Sequence, residues 1–534
     1  MNAPHRLLAA SLFVALCALA RADVTLAPLF TDHAVLQRDK PVPVWGRADA
    51  GEKIAVTFLA QTHRTTAGSD GRWIVFLDAL PATMQGADLA VVGKNTLTVR
   101  DVVVGEVWLC SGQSNMEFTV DARPGTWQAN TRAENAAAEI AAANFTLIRH
   151  VRIAQTVAES PADTVKTGGW QSATPQTVGG FTAVGYFFAR DIFQKLGVPV
   201  GLVHSSWGGT PVESWMSPAA LASSPAFAAV TTRWQQNVAA YPASQSAYEA
   251  ALAAWTTAEA TAKRDAAAAG AKTKPKSDGR KLYTAWSQKN PRPRAPRGPG
   301  DSWTPTGLFN GMINPLLPYA LRGALWYQGE SNADRAGEYH ALFAATITAW
   351  RAHFGQGDFP FYWVNLAGYK IPADRTDAAW AFLREAQTKT LALPATGQAL
   401  AIDNTDPTDI HPANKQDVGR RLALLAKNRI YGTTVDDTGP TFAGVTREGS
   451  ALRVRFTAAS GLIAHAKPVQ SLEIAGADKI FRPATAKIDR ETLLVSAPDV
   501  REPIAVRYAW RNAPEANLYN GAGLPAVPFR SDTW

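Results

Sequence analysis

Ser114 stands where this 534-residue chain first shows a pattern suited to chemistry. In the sequence GEVWLCSGQSNMEF (105–118), an apolar, strand-like run ends and small or polar residues follow. A serine between a strand and a helix has its backbone N–H at the helix N-terminus, where a developing negative charge is stabilised. On the local sequence alone, a serine that only caps the helix explains the pattern better. The wider chain must decide whether Ser114 is a nucleophile.

A serine nucleophile needs a general base, and His411 is the candidate. It lies in DNTDPTDIHPANK (403–415), after the last predicted strand of an α/β pattern and before its last helix. Pro412 at the first helical position would fix the start of that helix. His411 should therefore lie at the same sheet edge as Ser114, with Asp409 close enough to orient the imidazole. A loop histidine that caps the helix is the alternative.

Two further strand ends carry loops that could stabilise an oxyanion. In HSSWGGTPVESW (204–215), Gly208 and Gly209 let backbone N–H groups approach a ligand closely. In WYQGESNA (326–333), Gln328 and Asn332 both carry amide donors. Each loop alone is compatible with ordinary turn chemistry. Four such loops at four strand ends, with complementary roles, favour a hydrolytic site.

The elements that position these loops follow an α/β pattern. Residues 23–103 contain short β-branched runs separated by turn signals, which predicts a small antiparallel β domain. Residues 104–435 alternate apolar strands with helical periods, which predicts a parallel sheet covered on both faces. A helical hairpin and a Pro-rich loop interrupt this pattern at about 217–302. From 436 to 534 β patterns return.

The first 22 residues have the pattern of a cleaved secretory signal. Arg6 precedes an apolar stretch from Leu7 to Leu19, and Ala20-Arg21-Ala22 is a typical cleavage site. We expect a secreted or periplasmic protein, with no membrane segment after cleavage. Cys110 would then be the single cysteine of the mature chain, buried as a small hydrophobic residue and without a disulfide partner.

The net charge of +8 is concentrated in one segment. Residues 263–300 hold eleven Lys or Arg residues against two Asp residues, a net charge of +9, so the rest of the chain is near −1. Because this segment is rich in Ala, Pro and Gly, we interpret it as a solvated, flexible insertion rather than a nucleic-acid-binding surface. No His-rich or Cys-rich cluster has the spacing of a metal site, and we expect no metal and no cofactor.

The motifs GQSNM, SWGGTPVESW, WYQGESN and DIHPANKQDVGRRLA together resemble the sialate O-acetylesterase family. The resemblance extends to VLQRDKPVPVWG near the N-terminus and to the C-terminal VRYAWRNAPEANLYNGAGLPAVPFRSD. That family belongs to the SGNH hydrolases. The resemblance therefore implies a flavodoxin-like, three-layer α/β/α hydrolase domain, flanked here by β-sandwich-type domains.

The resemblance also implies roles for individual residues. Ser114 would be the nucleophile, His411 the general base and Asp409 the third member of a triad. The implied oxyanion donors are the backbone amide of Ser114, the backbone amide of Gly208 or Gly209, and the side-chain amide of Gln328. In many SGNH enzymes the acid lies three residues before the histidine, where this chain has Thr408. Asp409, Asp406 and a Ser–His dyad without an acid therefore remain alternatives.

The expected function is an exported serine esterase that removes O-acetyl groups from sugars through an acyl-enzyme. We expect substrate contacts from Asn115, Glu330 and Asn332, and a substrate that is an O-acetylated carbohydrate rather than a nucleic acid. An acetyl esterase for plant polysaccharides such as acetylxylan or pectin is the alternative enzyme. A carbohydrate-binding protein with an inactive hydrolase domain is the alternative from another class, and the complete Ser, His, Gly and Gln set argues against it.

Overall fold

The computed structural model describes residues 23–272, 277–371, 377–465 and 468–534. The predicted signal sequence, residues 1–22, lies outside the described residues. Twenty-four strands are assigned within them: β1 Thr25–Leu26, β2 Val35–Gln37, β3 Val42–Arg47, β4 Lys53–Phe58, β5 Gln61–Thr66, β6 Arg72–Leu77, β7 Ala87–Val92, β8 Thr96–Gly112, β9 Phe145–Ile153, β10 Thr167–Ala173, β11 Val200–Ser206, β12 Gly323–Tyr327, β13 Phe361–Asn365, β14 Thr396–Leu400, β15 Thr441–Glu448, β16 Ala451–Thr457, β17 Ile463–Ala464, β18 Leu472–Ala475, β19 Arg482–Pro483, β20 Thr485–Asp489, β21 Thr492–Ser496, β22 Ala505–Tyr508, β23 Leu518–Tyr519 and β24 Phe529–Arg530.

Nine α-helices are assigned within the same residues: α1 Ser114–Glu117, α2 Ala136–Ala141, α3 Ala183–Leu196, α4 Pro218–Ala222, α5 Ala228–Lys272, α6 Ser277–Lys289, α7 Ala336–Phe354, α8 Ala379–Lys389 and α9 Lys415–Arg429. Short 3-10 or π turns occupy Val178–Gly180, Val212–Trp215, Pro225–Phe227, Phe309–Ile313, Asn314–Leu316, Glu330–Arg335 and Thr390–Ala392.

The central sheet has the order β10-β9-β11-β8-β12-β13-β14, and only β10 runs antiparallel to its neighbour. Numbered along the chain, the five strands β11-β8-β12-β13-β14 have the order 2-1-3-4-5, which is flavodoxin-like. Helices α3 and α9 pack together, as do α7 and α8, and the sheet lies between the two pairs. The predicted three-layer α/β/α hydrolase fold is confirmed.

Strand β8 joins the N-terminal β region to this sheet. Its first half pairs with β7, Val103–Gly105 pairs with β2, and its last residues pair with β11 and β12. The domain boundary expected between 103 and 104 therefore falls inside one strand. One continuous hydrophobic core extends from Val24 to Ala426, because the buried faces of the N-terminal strands contact the same apolar side chains as the central sheet.

Residues 441–530 form further antiparallel sheets with their own core. Alternate residues of these strands point inward, as in β21, where Leu493 and Val495 are fully buried. This region docks on α8, since the Arg384 side chain donates to the carbonyl oxygens of Arg511 and Asn512 at 2.8 and 2.6 Å.

The interruption after 217 contains two long helices. Helices α5 and α6 pack against each other through the rings of Trp255, Tyr283 and Trp286, and the Tyr283 hydroxyl donates to Glu259 at 2.6 Å. The described basic side chains of this segment, such as Lys263 and Arg264, are exposed. The sequence favoured a flexible segment, whereas its described parts on either side of 273–276 are helical up to Lys289.

Candidate active site

Ser114 lies at the carboxyl end of β8, where the chain turns sharply into α1. Gly112 has a φ of +131°, and a Cβ atom there would lie only 2.2 Å from the carbonyl oxygen of Tyr327 on the adjacent strand β12. Glycine is therefore required at this turn. The Gln113 side chain accepts hydrogen bonds from the amides of Gly329 and Ser331, both at 3.3 Å. These contacts fix the loop after β12 against the serine.

His411 is brought to the serine by the loop between β14 and α9. Its Nε2 lies 2.8 Å from Ser114 Oγ, a hydrogen-bonding distance across 297 residues of sequence. The predicted helix start at Pro412 is wrong: α9 begins at Lys415, because the Asn414 side chain accepts from the amide of Asp417 and caps the helix there. The imidazole consequently sits on a loop, with its ring 4.5 Å from that of Trp127.

The environment keeps this imidazole neutral at pH 7. Burial and then the positive charge of Lys415 lower the pKa of His411 to about 4. Asp409 acts in the opposite direction and is the weakest of the three influences. A neutral imidazole with its Nε2 on a serine hydroxyl can accept the hydroxyl proton.

Asp409 is the carboxylate beside His411, but it does not bind the ring closely. Its Oδ1 lies 3.6 Å from His411 Nδ1 and accepts instead from the backbone N–H of His411 at 2.8 Å. Its side chain is 46% exposed. Asp406 accepts from the amide and hydroxyl of Thr408 at 2.8 and 2.7 Å and is also exposed. Of the two carboxylates, the structure places that of Asp409 next to the histidine.

The glycine loop after β11 reaches the serine. A Cβ atom on Gly208 would lie 3.3 Å from Ser114 Cβ and 3.1 Å from the Glu117 carboxylate. The Gly208 amide already donates to Glu117 Oε2 at 2.7 Å. Among the residues that the structure describes, the amides of Ser114 and Gly209 have no hydrogen-bond partner. Gly209 has a φ of +72°, which suits glycine.

Gln328 is fully buried below this loop rather than open to the crevice. Its Nε2 donates to Asn332 Oδ1 at 2.7 Å and to the carbonyl oxygen of Thr210 at 3.2 Å. Asn332 also accepts from the amide of Val212 and donates to Glu213 at 2.8 Å. The two amide side chains therefore tie the loops after β11 and β12 together, and both N–H groups of Gln328 are in use.

Asn115 and Glu330 belong to a second buried network, centred on Lys415. Lys415 Nζ donates to Asn115 Oδ1 and to the carbonyl oxygen of Pro412, both at 2.6 Å. Asn115 donates in turn to Glu330 at 2.7 Å and to the carbonyl oxygen of Ile410 at 3.0 Å. Asn115 thus contacts the backbone before His411, and its partner Lys415 contacts the backbone after it, which fixes the histidine loop relative to the nucleophile.

Comparison with known proteins identifies the family of this chain. A family model described as carbohydrate esterase, sialic acid-specific acetylesterase matches residues 104–270 and 301–427. The chain belongs to this family. The match omits 271–300, which contains most of the basic segment, and both parts of it carry the strand-end loops described above. Membership makes the protein a carbohydrate esterase.

Curated relatives and a solved structure extend the similarity beyond the matched ranges. The sialate O-acetylesterases of Rattus norvegicus and Homo sapiens are 29% and 27% identical, over 94% of this chain and 93% and 91% of theirs. The crystal structure of a carbohydrate acetylesterase from Xanthomonas citri is 38% identical, with a TM-score of 0.76, and covers 96% of this chain and all of its own.

The sequence reasoning did not single out several residues of this carbohydrate esterase that surround the site: Glu117, Arg123, Trp127, Arg152 and Lys415. Glu117 and Lys415 lie within the quoted motifs, at three residues after Ser114 and four after His411. Their closeness in sequence to Ser114 and His411 was the signal that could have identified them. Arg152 is the last residue but one of β9 and is paired in register with His204, so only the sheet topology shows that it belongs to the same edge.

The described residues contain neither a metal-ligand cluster nor a membrane-spanning helix. Within the ranges given above, no group of three or more His, Cys, Asp or Glu side chains is arranged to hold a metal ion. No helix in the same ranges is both long and apolar enough to cross a membrane. Cys110 is fully buried, and burial raises the pKa of its thiol.

Proposed function

We propose that this carbohydrate esterase removes O-acetyl groups from sialic acids by an acyl-enzyme mechanism, with Ser114 as nucleophile and His411 as general base. The observation that carries the proposal is the 2.8 Å contact between Ser114 Oγ and His411 Nε2 at the carboxyl edge of the sheet. This is the edge at which α/β folds bind their ligands. The neutral state of the imidazole supports the same assignment.

In the first half of the reaction, Ser114 Oγ attacks the acetyl carbonyl carbon while His411 Nε2 takes the hydroxyl proton. The tetrahedral intermediate collapses when the C–O bond to the sugar breaks and His411 returns the proton to the departing sugar oxygen. In the second half, His411 takes a proton from water, which attacks the acetyl-serine. Acetate leaves, and the proton returns to Ser114.

We assign the oxyanion hole to the amides of Ser114 and Gly209, because neither N–H group has a partner among the described residues. Gly209 directly follows Gly208, at which an added Cβ atom would lie 3.3 Å from Ser114 Cβ. The Gly208 amide and the Gln328 side chain were also expected to donate. Their hydrogens are bound by Glu117, Asn332 and Thr210. Direct donation by these two groups stays a prediction.

The assignment to sialic acids rests on the curated relatives, which are named sialate O-acetylesterases and match over nearly their whole length. The chemistry of the site requires only an acetyl ester of a sugar hydroxyl. Acetylated xylan and pectin therefore serve as the contrasting substrates in the test.

The nucleophile is tested by comparing Ser114→Ala with Ser246→Ala, a change of the same kind on the exposed face of α5. Release of acetate from O-acetylated sialic acid should fall by at least about 10⁴-fold in Ser114→Ala. The Ser246 variant should match the wild type. Near-wild-type activity in Ser114→Ala would overturn the assignment.

The substrate is tested with a panel of 9-O-acetylated sialic acid, acetylated xylan and acetylated pectin at equal acetyl concentration. We expect the highest kcat/KM on the sialic acid. A higher kcat/KM on either plant polysaccharide would reject the sialate assignment while leaving the mechanism intact.

We also propose that residues 1–22 direct export and are then removed. The support is the basic, apolar and small-residue pattern of that segment. Expression of the full chain in a bacterial host, followed by fractionation and N-terminal sequencing, should give a periplasmic or secreted protein that begins near Asp23. A cytoplasmic protein that retains residues 1–22 would contradict this.

A further inference from the structure

Next to the nucleophile lies a charge cluster formed by Glu117, Arg123 and Arg152. Glu117 Oε1 accepts from Arg123 Nη1 at 3.2 Å and from Arg152 Nη2 at 3.0 Å. The other carboxylate oxygen accepts from the Gly208 amide. Among the described residues, neither arginine pairs with a second acid. Two guanidinium groups thus share one carboxylate, and one positive charge is left uncompensated.

The cluster borders the same space as Ser114. A Cβ atom added to Gly208 would lie 3.1 Å from Glu117 Oε2, 3.3 Å from Ser114 Cβ and 3.5 Å from Trp127 Nε1. The side chains of Arg123 and Arg152 are 29% and 26% exposed, whereas that of Glu117 is 6% exposed. The excess positive charge is therefore open to solvent, while the carboxylate that holds it is covered.

Trp127 provides an apolar surface beside this charge. Its side chain is exposed although its ring contacts His411 and Phe118, at 4.5 and 6.2 Å between ring centres. Arg123 and Trp127 lie on one turn, which is closed by a hydrogen bond from the Arg123 amide to the Gln128 carbonyl oxygen at 3.0 Å. The buried Gln128 side chain anchors the turn to Thr119. The arginine and the indole are consequently presented together.

We propose that Arg123 and Arg152 form an anion subsite that binds the carboxylate of an acidic sugar while the indole of Trp127 supports its ring. Guanidinium groups bind carboxylates through charge-assisted hydrogen bonds, and within the described residues each arginine uses one nitrogen, Nη1 of Arg123 and Nη2 of Arg152, to bind Glu117. Indole faces pack well against the apolar faces of sugars. The inference rests on the proposed function and adds how the sugar is selected.

The test compares kcat/KM for an O-acetylated acidic sugar with kcat/KM for an O-acetylated neutral hexose. In Arg123→Gln the acidic-to-neutral ratio should fall by about 10- to 100-fold, because a charge-assisted hydrogen bond is lost, and the change should appear mainly in KM. Arg123→Lys should keep part of the preference. Arg132→Gln is the matched control: it removes the same charge from the same loop, but Arg132 pairs with Asp121 at 3.7 Å and is 60% exposed. This control should leave the ratio unchanged.

A competition experiment on the wild-type protein decides the same point without a variant. Free sialic acid should inhibit competitively, its uncharged methyl ester should inhibit at least about tenfold more weakly, and the difference should shrink at high salt. Equal inhibition by both would overturn the subsite. So would an unchanged acidic-to-neutral ratio in a folded Arg123→Gln protein.

These outcomes separate the subsite from the proposed function. If the wild type prefers acidic substrates and Arg123→Gln keeps that preference, the subsite is wrong and the sialate assignment stands. If the wild type prefers the neutral acetylated sugar, both fail. The Ser114→Ala comparison tests the mechanism independently of either.

Discussion

Asp409 and His411 are neighbours in space, yet the carboxylate holds the backbone of the histidine more closely than its ring. The Oδ1 atom of Asp409 lies 2.8 Å from the backbone nitrogen of His411 and 3.6 Å from Nδ1. The carboxylate is also half exposed, so water weakens its effect on the imidazole. The Lys415–Asn115 network, which contacts the carbonyl oxygens of Ile410 and Pro412, fixes the same loop from the buried side.

We therefore expect Asp409→Asn to lower kcat only by roughly tenfold, far less than the loss of about 10⁴ expected when a buried triad acid is replaced. Asp406→Asn should be close to wild type, because that exposed carboxylate accepts hydrogen bonds from the Thr408 amide and hydroxyl and is not paired with His411. Steady-state kinetics on an acetylated sugar measures both. A loss near 10⁴ in Asp409→Asn would show that the carboxylate closes on the ring when substrate binds.

The pH profile should report the low pKa of His411. Because burial and the charge of Lys415 lower that pKa to about 4, the neutral base predominates at pH 5 and above. Protonation removes the base, so kcat/KM should fall as the pH drops through about 4, by roughly tenfold per unit below it. A midpoint near 6.5 would contradict the described environment.

Lys415→Met should move this acidic limb to higher pH. Removal of the nearby positive charge makes protonation of His411 easier, which raises its pKa towards the usual value. Lys427→Met is the control: this lysine lies on the same helix but pairs with Asp191. Its profile should match the wild type. If the acidic limb of Lys415→Met does not shift, the charge of Lys415 does not lower the pKa of His411, and burial alone accounts for it.

The sequence predicted that Ser114 and His411 share one sheet edge because the carboxyl ends of parallel strands meet there. This prediction needed only two kinds of pattern: continuous apolar runs such as GEVWLC, and the glycine and amide residues that follow them. The helix start at Lys415 was missed because Pro412 is compatible with a first helical position, whereas the cap at Asn414 depends on a side-chain contact.

The hydrogen-bond partners in the site could not be predicted from the sequence. The bond from the Gly208 amide to Glu117 joins residues 91 positions apart. It depends on how the strand-end loops fold back over the sheet, which no local pattern specifies. For the same reason the sequence could not show that β8 passes unbroken from the N-terminal region into the central sheet.

Gly208→Ala should impair catalysis without a large loss of stability. The added methyl group would lie 3.3 Å from Ser114 Cβ and 3.1 Å from Glu117 Oε2, so it displaces the nucleophile or the carboxylate. A misplacement of about 1 Å can cost roughly 10²-fold in rate. Gly168→Ala, which meets no atom within 4 Å, is the control and should retain full activity. Wild-type kcat in Gly208→Ala would contradict the packing described.

Gln328→Ala separates a supporting role for the buried amide from direct stabilisation of the oxyanion. Because Gln328 Nε2 donates to Asn332, removal of either side chain leaves its buried partner with one hydrogen bond fewer. Each single variant should lower the free energy of unfolding by about 1–3 kcal/mol. Urea denaturation measures this, and the double variant should lose clearly less than the sum of the two.

A supporting role further predicts that Gln328→Ala and Asn332→Ala lower kcat by similar factors, since both disturb the same pair of loops. Direct donation by Gln328 predicts a loss of about 10²–10³ in kcat for Gln328→Ala alone, with KM unchanged. We expect the first pattern, because both N–H groups of the amide are bound to protein atoms. The second pattern would assign Gln328 to the oxyanion hole and require its side chain to turn towards the substrate.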